Sequence, residues 1–149
     1  MVLKHEQNIS QNDIEVLITY PQKTSFVEKL LTVIKSTDIQ IPCYFKDELI
    51  MVNASDILFI ERNVDKKTIV NCEKNCYQSK EWLYQIFEKL RNIRFVQINK
   101  YCILNLNKLK KIKQLPNSHL EAVLTNGKSL YVTRKYLTEL KRILMEKHI

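Results

Sequence analysis

The sequence predicts a mostly β protein of the α+β class, with one internal helix, one C-terminal helix and a small β-α segment before them. Short apolar runs bounded by polar loops, the pattern of β-strands, fill most of residues 41–133. The Asn126-Gly127 pair is a strong signal for a β-hairpin. Three other windows repeat apolar residues at the i, i+4 spacing of an amphipathic helix.

Residues 1–45 are predicted to form a β-α appendage. Residues 13–20 are rich in β-formers and end before Pro21, which predicts a strand followed by a turn. A helix is then expected from Thr24 or Ser25, because apolar residues form a stripe along one face: Phe26, Leu30 and Ile34. Such a stripe usually packs into a core, and a dimer contact is its less favoured use.

Residues 46–149 are predicted to form the main domain. One strand is expected at 41–45, at the end of the appendage, and within the main domain strands are expected at 49–52, 56–61, 66–72, 94–99, 102–106, 109–115, 119–125 and 128–133. Ser79 is a typical N-cap residue, and it predicts the start of the internal helix, which then runs through Leu90. A last helix is expected from Arg134 to about Glu146.

The composition argues against most nucleotide-dependent enzymes and zinc hydrolases. Gly127 is the single glycine, whereas Walker loops, dinucleotide fingerprints and the hydrolase nucleophile elbow each need several. The three histidines are scattered, and Cys72 and Cys76 have no second pair of ligands, so neither a metal nor another cofactor is predicted. Cys102 has no neighbouring histidine to activate it as a nucleophile. We therefore expect a protein that is not an enzyme.

Positive charge is concentrated in the larger part of the chain. Lys and Arg number 24 against 16 Asp and Glu, which gives a net charge of +8 and a pI near 9.3. Residues 1–45 carry four lysines against five acidic residues, and the stretch 89–113 carries eight basic residues and no acidic one. A basic field on one part of a chain indicates a polyanionic partner such as nucleic acid or an anionic membrane. A lysine-rich soluble surface is the alternative.

The start of the chain shows no export signal, and no apolar run is long enough to span a bilayer. Four cysteines in a chain without such a signal are expected to be reduced thiols. The sequence therefore predicts a cytoplasmic protein.

Three polar segments at predicted strand ends combine cations with amide, hydroxyl or aromatic groups. They are residues 62–67 (RNVDKK), 97–101 (QINKY) and 133–136 (TRKY). Arg and Lys neutralise phosphate or reach guanine, and Asn can pair with adenine, so this mixture suits DNA binding. Each segment alone is more typical of a solvated hairpin loop, and only the three together make DNA binding an equally good interpretation.

The lysine-rich run at 108–113 (KLKKIK) is expected to be a strand. Lysines there would face solvent and protect an edge strand from unwanted pairing. Non-specific attraction to phosphate is an additional expected effect.

The order of these segments resembles the LytTR DNA-binding domain. The family has an Asp-Ile-x-Tyr/Phe-Ile-Glu strand, which DILFIE at 56–61 resembles. Its Phe-x-Arg-x-His/Ser-x-Ser-x-x-Val-Asn segment corresponds to RFVQINKYCILNL at 94–106, and its Asn-Gly hairpin and following Val-Ser-Arg-Arg/Lys-Tyr to NG at 126–127 and YVTRKYL at 131–137. The resemblance covers about residues 48–145, and the acidic appendage resembles the N-terminal part of stand-alone regulators that lack a receiver domain.

The resemblance implies an elongated fold of small antiparallel sheets that inserts loops into successive major grooves of promoter direct repeats. It assigns base contacts to Lys67, Lys100 and Arg134. Together with the polar segments it gives eight expected DNA-binding residues: Arg62, Lys66, Lys67, Asn99, Lys100, Tyr101, Arg134 and Lys135. Relatives often bind as dimers, and stand-alone bacterial members are often encoded beside a small membrane protein that restrains them.

Three departures from the family pattern leave other functions open. Gln97 replaces an Arg, Tyr101 replaces a Ser and Leu104 replaces a Val. These changes motivate the alternative of a protein-interaction module that pairs with a regulatory or membrane partner and has lost DNA sequence specificity. An RNA-binding variant is the third hypothesis.

Overall fold

The computed structural model describes residues 1–116 and 119–145, which form two antiparallel sheets and three helices. The larger sheet has seven strands in the order β2-β1-β5-β4-β3-β7-β6 and the smaller has the order β10-β9-β8. The strands are β1 (Gln40–Phe45), β2 (Glu48–Asn53), β3 (Ile57–Arg62), β4 (Thr68–Cys72), β5 (Cys76–Ser79), β6 (Phe95–Asn99), β7 (Cys102–Asn105), β8 (Leu109–Gln114), β9 (Leu120–Leu124) and β10 (Ser129–Val132). The helices are α1 (Ser25–Thr37), α2 (Leu83–Leu90) and α3 (Arg134–Met145). The predicted α+β class is confirmed.

Strand β3 lies between two hydrophobic cores. Ile57 and Ile60 belong to one core, which α2 covers with Ile86 and Leu90. Leu58 and Phe59, which lie between them, belong to the other core, which includes residues of the smaller sheet and Leu140 of α3. Because both faces of β3 are covered, residues 57–60 are all at most 1% exposed, and this explains their unbroken apolar sequence.

The strand predicted over residues 13–20 is wrong. This segment forms no ladder with any described strand, and the side chains of Ile14 and Leu17 are 88% and 82% exposed. A strand requires a neighbour that accepts its backbone hydrogen bonds, and β-propensity alone does not supply one. Before β1, the appendage therefore contributes one helix and no strand among the described residues.

Helix α1 begins where the sequence predicts. The hydroxyl of Thr24 accepts a hydrogen bond from the Val27 amide at 3.3 Å and caps the helix.

Strand β1 lies on the appendage side of the predicted boundary at residue 45, but it pairs with β2 and β5 of the larger sheet. The division of the chain into domains stays a prediction.

The internal helix begins three residues later than predicted, with Trp82 and not Ser79 as its N-cap residue. Ser79 ends β5, where it pairs with Thr68, and its hydroxyl accepts from the Glu81 amide at 3.1 Å. Helix α2 starts at Leu83. The side-chain oxygen of Gln85 accepts a hydrogen bond from the Trp82 backbone amide at 2.8 Å and so caps the start of the helix. Strand β5 is not predicted from the sequence, because its four residues, CYQS, form a short and largely polar run.

The predicted hairpin at Gly127 is present with a three-residue loop. The Leu124 amide donates to the Lys128 carbonyl at 2.8 Å, and the Gly127 amide donates back to the Leu124 carbonyl at 2.9 Å. Gly127 has a φ of +87°, a conformation that glycine adopts without steric cost. The predicted C-terminal helix follows from Arg134, and its expected last residue, Glu146, lies outside the described residues.

Strand β8 is the outer strand of the smaller sheet, as the lysine-rich sequence predicted. In the described part of the chain, no helix is both long enough and apolar enough to cross a membrane.

Candidate nucleic-acid interface

The three predicted polar segments lie side by side at one end of the larger sheet. The first is the loop between β3 and β4, the second is the turn between β6 and β7, and the third joins β10 to α3. The Arg62 amide donates to the Tyr101 carbonyl at 2.9 Å, which links the first to the second. The Thr133 amide donates to the Ile98 carbonyl at 3.0 Å, which links the second to the third. The fold thus joins segments that are far apart in sequence into one continuous surface.

Asn63 organises the first loop. Its side-chain oxygen accepts hydrogen bonds from the backbone amides of Asp65 and Lys67, each at 3.0 Å. The backbone amide of Asn63 donates to the Lys67 carbonyl at 2.9 Å. Lys66 takes a left-handed conformation with a φ of +62°. The loop therefore has a defined shape from which the side chains of Lys66 and Lys67 extend into solvent.

Val64 lies in the same loop and was not predicted as a functional residue. Its side chain is 97% exposed, an unusual position for a β-branched apolar residue. The signal in the sequence was an isolated apolar residue inside a polar loop. A methyl-bearing side chain in this position suits contact with the methyl group of thymine.

The second turn is held by Asn99, whose side chain is used within the protein. Its oxygen accepts from the Tyr101 amide at 2.8 Å, and its nitrogen donates to the Tyr131 carbonyl at 2.8 Å. The sequence predicted Asn99 as a DNA contact. In the structure it joins the second segment to β10, the strand that leads into the third segment.

Gln97 also shapes this turn. Its side-chain nitrogen donates to the carbonyl of Asn99 at 3.1 Å and to that of Lys100 at 3.4 Å. Gln97 stands where the family has an arginine, and its amide supports the loop that presents Lys100.

Lys100 and Tyr101 present an exposed cation and an exposed ring at the tip of the second turn. The ammonium of Lys100 is 5.7 Å from the centroid of the Tyr101 ring, within the range of a cation–π contact. The Tyr101 side chain is 48% exposed, so one part of its ring is free to stack on a sugar or a base.

Arg134 is the first residue of α3, at the end of the third segment. The Thr133 carbonyl accepts from the amides of Tyr136 and Leu137, each at 3.1 Å, and thereby starts the helix. Arg134 and the following Lys135 are both exposed, and the first turn of α3 contains no acidic residue. The positive end of the helix dipole adds to their charge.

The cations of this surface are not neutralised by ion pairs in the described part of the chain. The four ion pairs found there lie elsewhere: Lys23–Glu28, Lys89–Glu81, Arg91–Glu88 and Arg142–Glu139. The charges of Arg62, Lys66, Lys67, Lys100, Arg134 and Lys135 are therefore available to a polyanion.

Arg94 is a basic residue that the fold keeps away from this surface. Its guanidinium is half-buried and donates to the side-chain oxygen of Asn107 at 3.2 Å. Burial lowers the pKa of Arg94 from its ordinary value. Its role is to hold the start of β6 against the turn after β7.

The four cysteines are free, and three of them are poor nucleophiles. Burial raises the pKa of the Cys43 thiol to about 11 and those of Cys72 and Cys102 to about 12. Cys76 is exposed, and its thiol donates to the side-chain oxygen of Asn71 at 3.0 Å.

Comparison with known proteins identifies the family of this chain. The family model of the LytTr DNA-binding domain matches residues 47–145. The chain belongs to the LytTR DNA-binding domain family. This family is not a class of enzymes, and membership indicates DNA binding in transcriptional regulation.

Relatives and a solved structure agree with the LytTR assignment. The chain is 27% identical over 116 residues to the sensory transduction protein LytT of Bacillus cereus, a match that covers 74% of this chain and 47% of the relative. It is 28% identical over 104 residues to the protein of the same name from Enterococcus faecalis, covering 70% and 43%. The chain spans about half the length of the curated relatives that it matches.

The fold also matches a LytTr DNA-binding domain of a protein from Bacillus cereus, with a TM-score of 0.64 and 28% identity. That match covers 71% of this chain and 96% of the solved domain. The LytTR fold expected from the sequence is confirmed.

Proposed function

We propose that this LytTR protein is a transcriptional regulator that binds double-stranded DNA sequence-specifically at promoter direct repeats. The observation that carries the proposal is the continuous row of three segments whose cations have no ion-pair partner in the described chain. Loops at one end of a sheet can enter successive major grooves, whereas no helix-turn-helix is present among the described elements.

Base contacts in this proposal come from Lys67, Lys100 and Arg134, one from each segment. Lys and Arg can donate to the O6 and N7 atoms of guanine. Val64 would add an apolar contact to thymine beside Lys67.

Phosphate contacts come from Arg62, Lys66 and Lys135, which flank the base-reading residues. Tyr101 stacks against sugar or base. Asn99 was expected to contact phosphate directly, and its hydrogen bonds support a largely structural contribution at the same place.

The cellular setting belongs to the same proposal. The chain has relatives in Bacillus and Enterococcus, and this supports a bacterial protein that acts in the cytoplasm, where the DNA lies. Paired direct repeats suit a homodimer, and a small membrane protein encoded nearby would restrain it. Each of these rests on resemblance to other LytTR proteins.

Fluorescence anisotropy tests the proposal with a duplex from the promoter of the protein's own operon and a scrambled duplex of equal length, at two salt concentrations. A preference for the promoter duplex that persists at the higher salt supports sequence-specific binding. Equal binding that disappears with salt would reject base reading and leave only electrostatic attraction.

Absence of binding at both salt concentrations would favour the alternative, a module that pairs with a protein partner. Stronger binding to single-stranded RNA of equal charge would favour an RNA-binding protein instead.

A further inference from the structure

Residues 13–20 (DIEVLITY) have the composition of a strand but no strand beside them in the described chain. Alternate side chains fall into two sets. Ile14, Val16, Ile18 and Tyr20 would occupy one face of an extended segment, and Asp13, Glu15, Leu17 and Thr19 would occupy the other. In a single copy Ile14 and Val16 are 88% and 57% exposed, and Ile18 is half-buried.

Strand β8 offers an open edge to such a segment. It is the last strand in the order β10-β9-β8, so its outer backbone groups have no partner strand among the described residues. Lys111 pairs with Val123 and Lys113 with Glu121, and both lysines are exposed on one face. Ile112 pairs with the buried Ala122 and lies on the other face, against the core of the smaller sheet.

The two faces of residues 13–20 complement the two faces of β8. A strand added at the β8 edge would place Asp13 and Glu15 beside Lys111 and Lys113. Its apolar face, with Ile14, Val16 and Ile18, would extend the buried face that contains Ile112. Opposite charges on neighbouring strands stabilise a sheet, and covering the apolar side chains removes them from water.

The lysines of β8 also exclude a competing arrangement. Two β8 edges brought together would place like charges side by side, which disfavours pairing between them. An acidic strand meets no such repulsion, so the same lysines select for residues 13–20.

We propose that residues 13–20 of one copy of the chain add as a fourth strand to β8 of a second copy, so that two copies exchange strands reciprocally. A second copy is the favoured partner because the single chain leaves both the segment and the edge unpaired. Reciprocal exchange gives a closed dimer with two equivalent contacts.

The test uses the full chain without DNA, so its outcome is independent of the proposed function. Sedimentation velocity over a concentration series measures dimerisation of the wild type and of two charge-reversed chains. One carries Asp13→Lys and Glu15→Lys, and the other carries Lys111→Glu and Lys113→Glu. Each should dimerise about tenfold more weakly or worse, because two favourable charge pairs become repulsive at each contact.

Mixing the two charge-reversed chains should restore dimerisation, because every contact between them again joins opposite charges. Glu6→Lys is the matched control, since it reverses a charge outside the segment, and it should dimerise like the wild type. All the altered residues are exposed, and circular dichroism checks that each variant is folded.

A wild type that stays monomeric throughout the series would overturn the proposal. So would a dimer that both charge reversals leave unaffected. Protection of residues 13–20 from hydrogen exchange in a monomer would instead show pairing with β8 of the same chain, which also overturns exchange between copies.

Discussion

Arg134 begins α3 and is the residue whose removal is expected to weaken specific binding most clearly. Arg134→Ala should cost about 1–3 kcal/mol on the promoter duplex, because a cation that donates to a base edge is lost. The loss on a scrambled duplex should be smaller. Anisotropy titrations on the two duplexes measure the difference.

Lys141→Ala is the matched control for Arg134, since Lys141 is an exposed cation on the same helix about two turns away. It should change both affinities little. Equal losses on both duplexes for Arg134→Ala would assign this residue to phosphate and not to a base.

The buried thiols make the free energy of unfolding depend on pH in the alkaline range. The ordinary pKa of a cysteine here is 9.0, and burial raises the pKa of Cys43 to about 11 and that of Cys102 to about 12. Above pH 9 the unfolded state loses these protons and the folded state keeps them. The free energy of unfolding should therefore fall as the pH rises from 9 towards 11.

Urea denaturation at pH 8, 9 and 10.5 measures this effect. A Cys43→Ala, Cys102→Ala double variant should lose less stability over this interval than the wild type, and Cys76→Ala should behave like the wild type because Cys76 is exposed. An identical loss in all three proteins would assign the pH dependence to other groups.

Residue types could be predicted from the sequence, but the direction of each side chain could not. Asn99 was a reasonable candidate for DNA contact because an amide can pair with a base. Its partner, the Tyr131 carbonyl, is 32 residues away in sequence. It becomes a neighbour only because the end of β10 lies beside the end of β6 in the fold. Gln97 was interpreted as a lost arginine, and its contacts with the turn depend on the same long-range arrangement.

At the scale of single elements, the hairpin between β9 and β10 depends on the conformation of Gly127. Gly127→Ala should cost about 1–2 kcal/mol, because a left-handed backbone brings a Cβ too close to the following carbonyl. Apart from its two chain neighbours, no described residue has an atom within 4 Å of the added Cβ, so the cost comes from the local backbone. Urea midpoints measure it.

Gly127→Asn separates this cause from general damage to the hairpin. Asparagine tolerates the left-handed conformation better than alanine, so this variant should be the more stable of the two despite its larger side chain. The reverse order would contradict the backbone explanation.

The loop between β3 and β4 depends on Asn63. Asn63→Ala removes the acceptor for two amides and should lower stability by about 1 kcal/mol, and DNA affinity should fall with it as Lys66 and Lys67 lose their fixed positions. Lys67→Ala should lower DNA affinity and leave stability unchanged. Measuring the urea midpoint and the anisotropy for both variants distinguishes loop shape from charge.

Most elements followed from local signals in the sequence, and the errors at residues 13–20 and at Ser79 have a common cause. Thr24 caps α1 and Gly127 closes a hairpin because each acts through its immediate neighbours. Whether a segment forms a strand depends on a neighbouring strand, which local sequence does not show. For this reason residues 13–20 were wrongly predicted as a strand, and Ser79, which ends a strand, was wrongly predicted as a helix cap. Ser79 has a strand partner in Thr68, and residues 13–20 have none in the described chain.

At the scale of the whole molecule, the basic surface should make DNA binding strongly dependent on salt. Each neutralised phosphate contributes a slope of about −0.9 to a plot of log affinity against log salt concentration. Lys135→Gln should reduce the magnitude of this slope by about 1, because one phosphate contact is lost. Lys141→Gln, which lies outside the surface, should leave the slope unchanged.

The three segments could be predicted as candidates from charge and from the resemblance to LytTR domains, but their arrangement in a row could not. The row depends on the strand order β3-β7-β6 and on β10 reaching the end of β6, which no local pattern specifies. The sequence therefore predicts the chemical groups of the candidate interface, and the topology explains how segments distant in sequence become neighbours.

The contacts of Tyr131 and Thr133 with the end of β6 have a consequence for protein synthesis. A nascent or prematurely terminated chain that stops before these residues lacks Arg134 and also lacks the groups that hold Asn99 and Ile98. Such a fragment has neither the third segment nor a fixed second one. If the proposed function holds, truncated translation products would be poor competitors for the promoter, and recognition would arise only when the last part of the domain has left the ribosome.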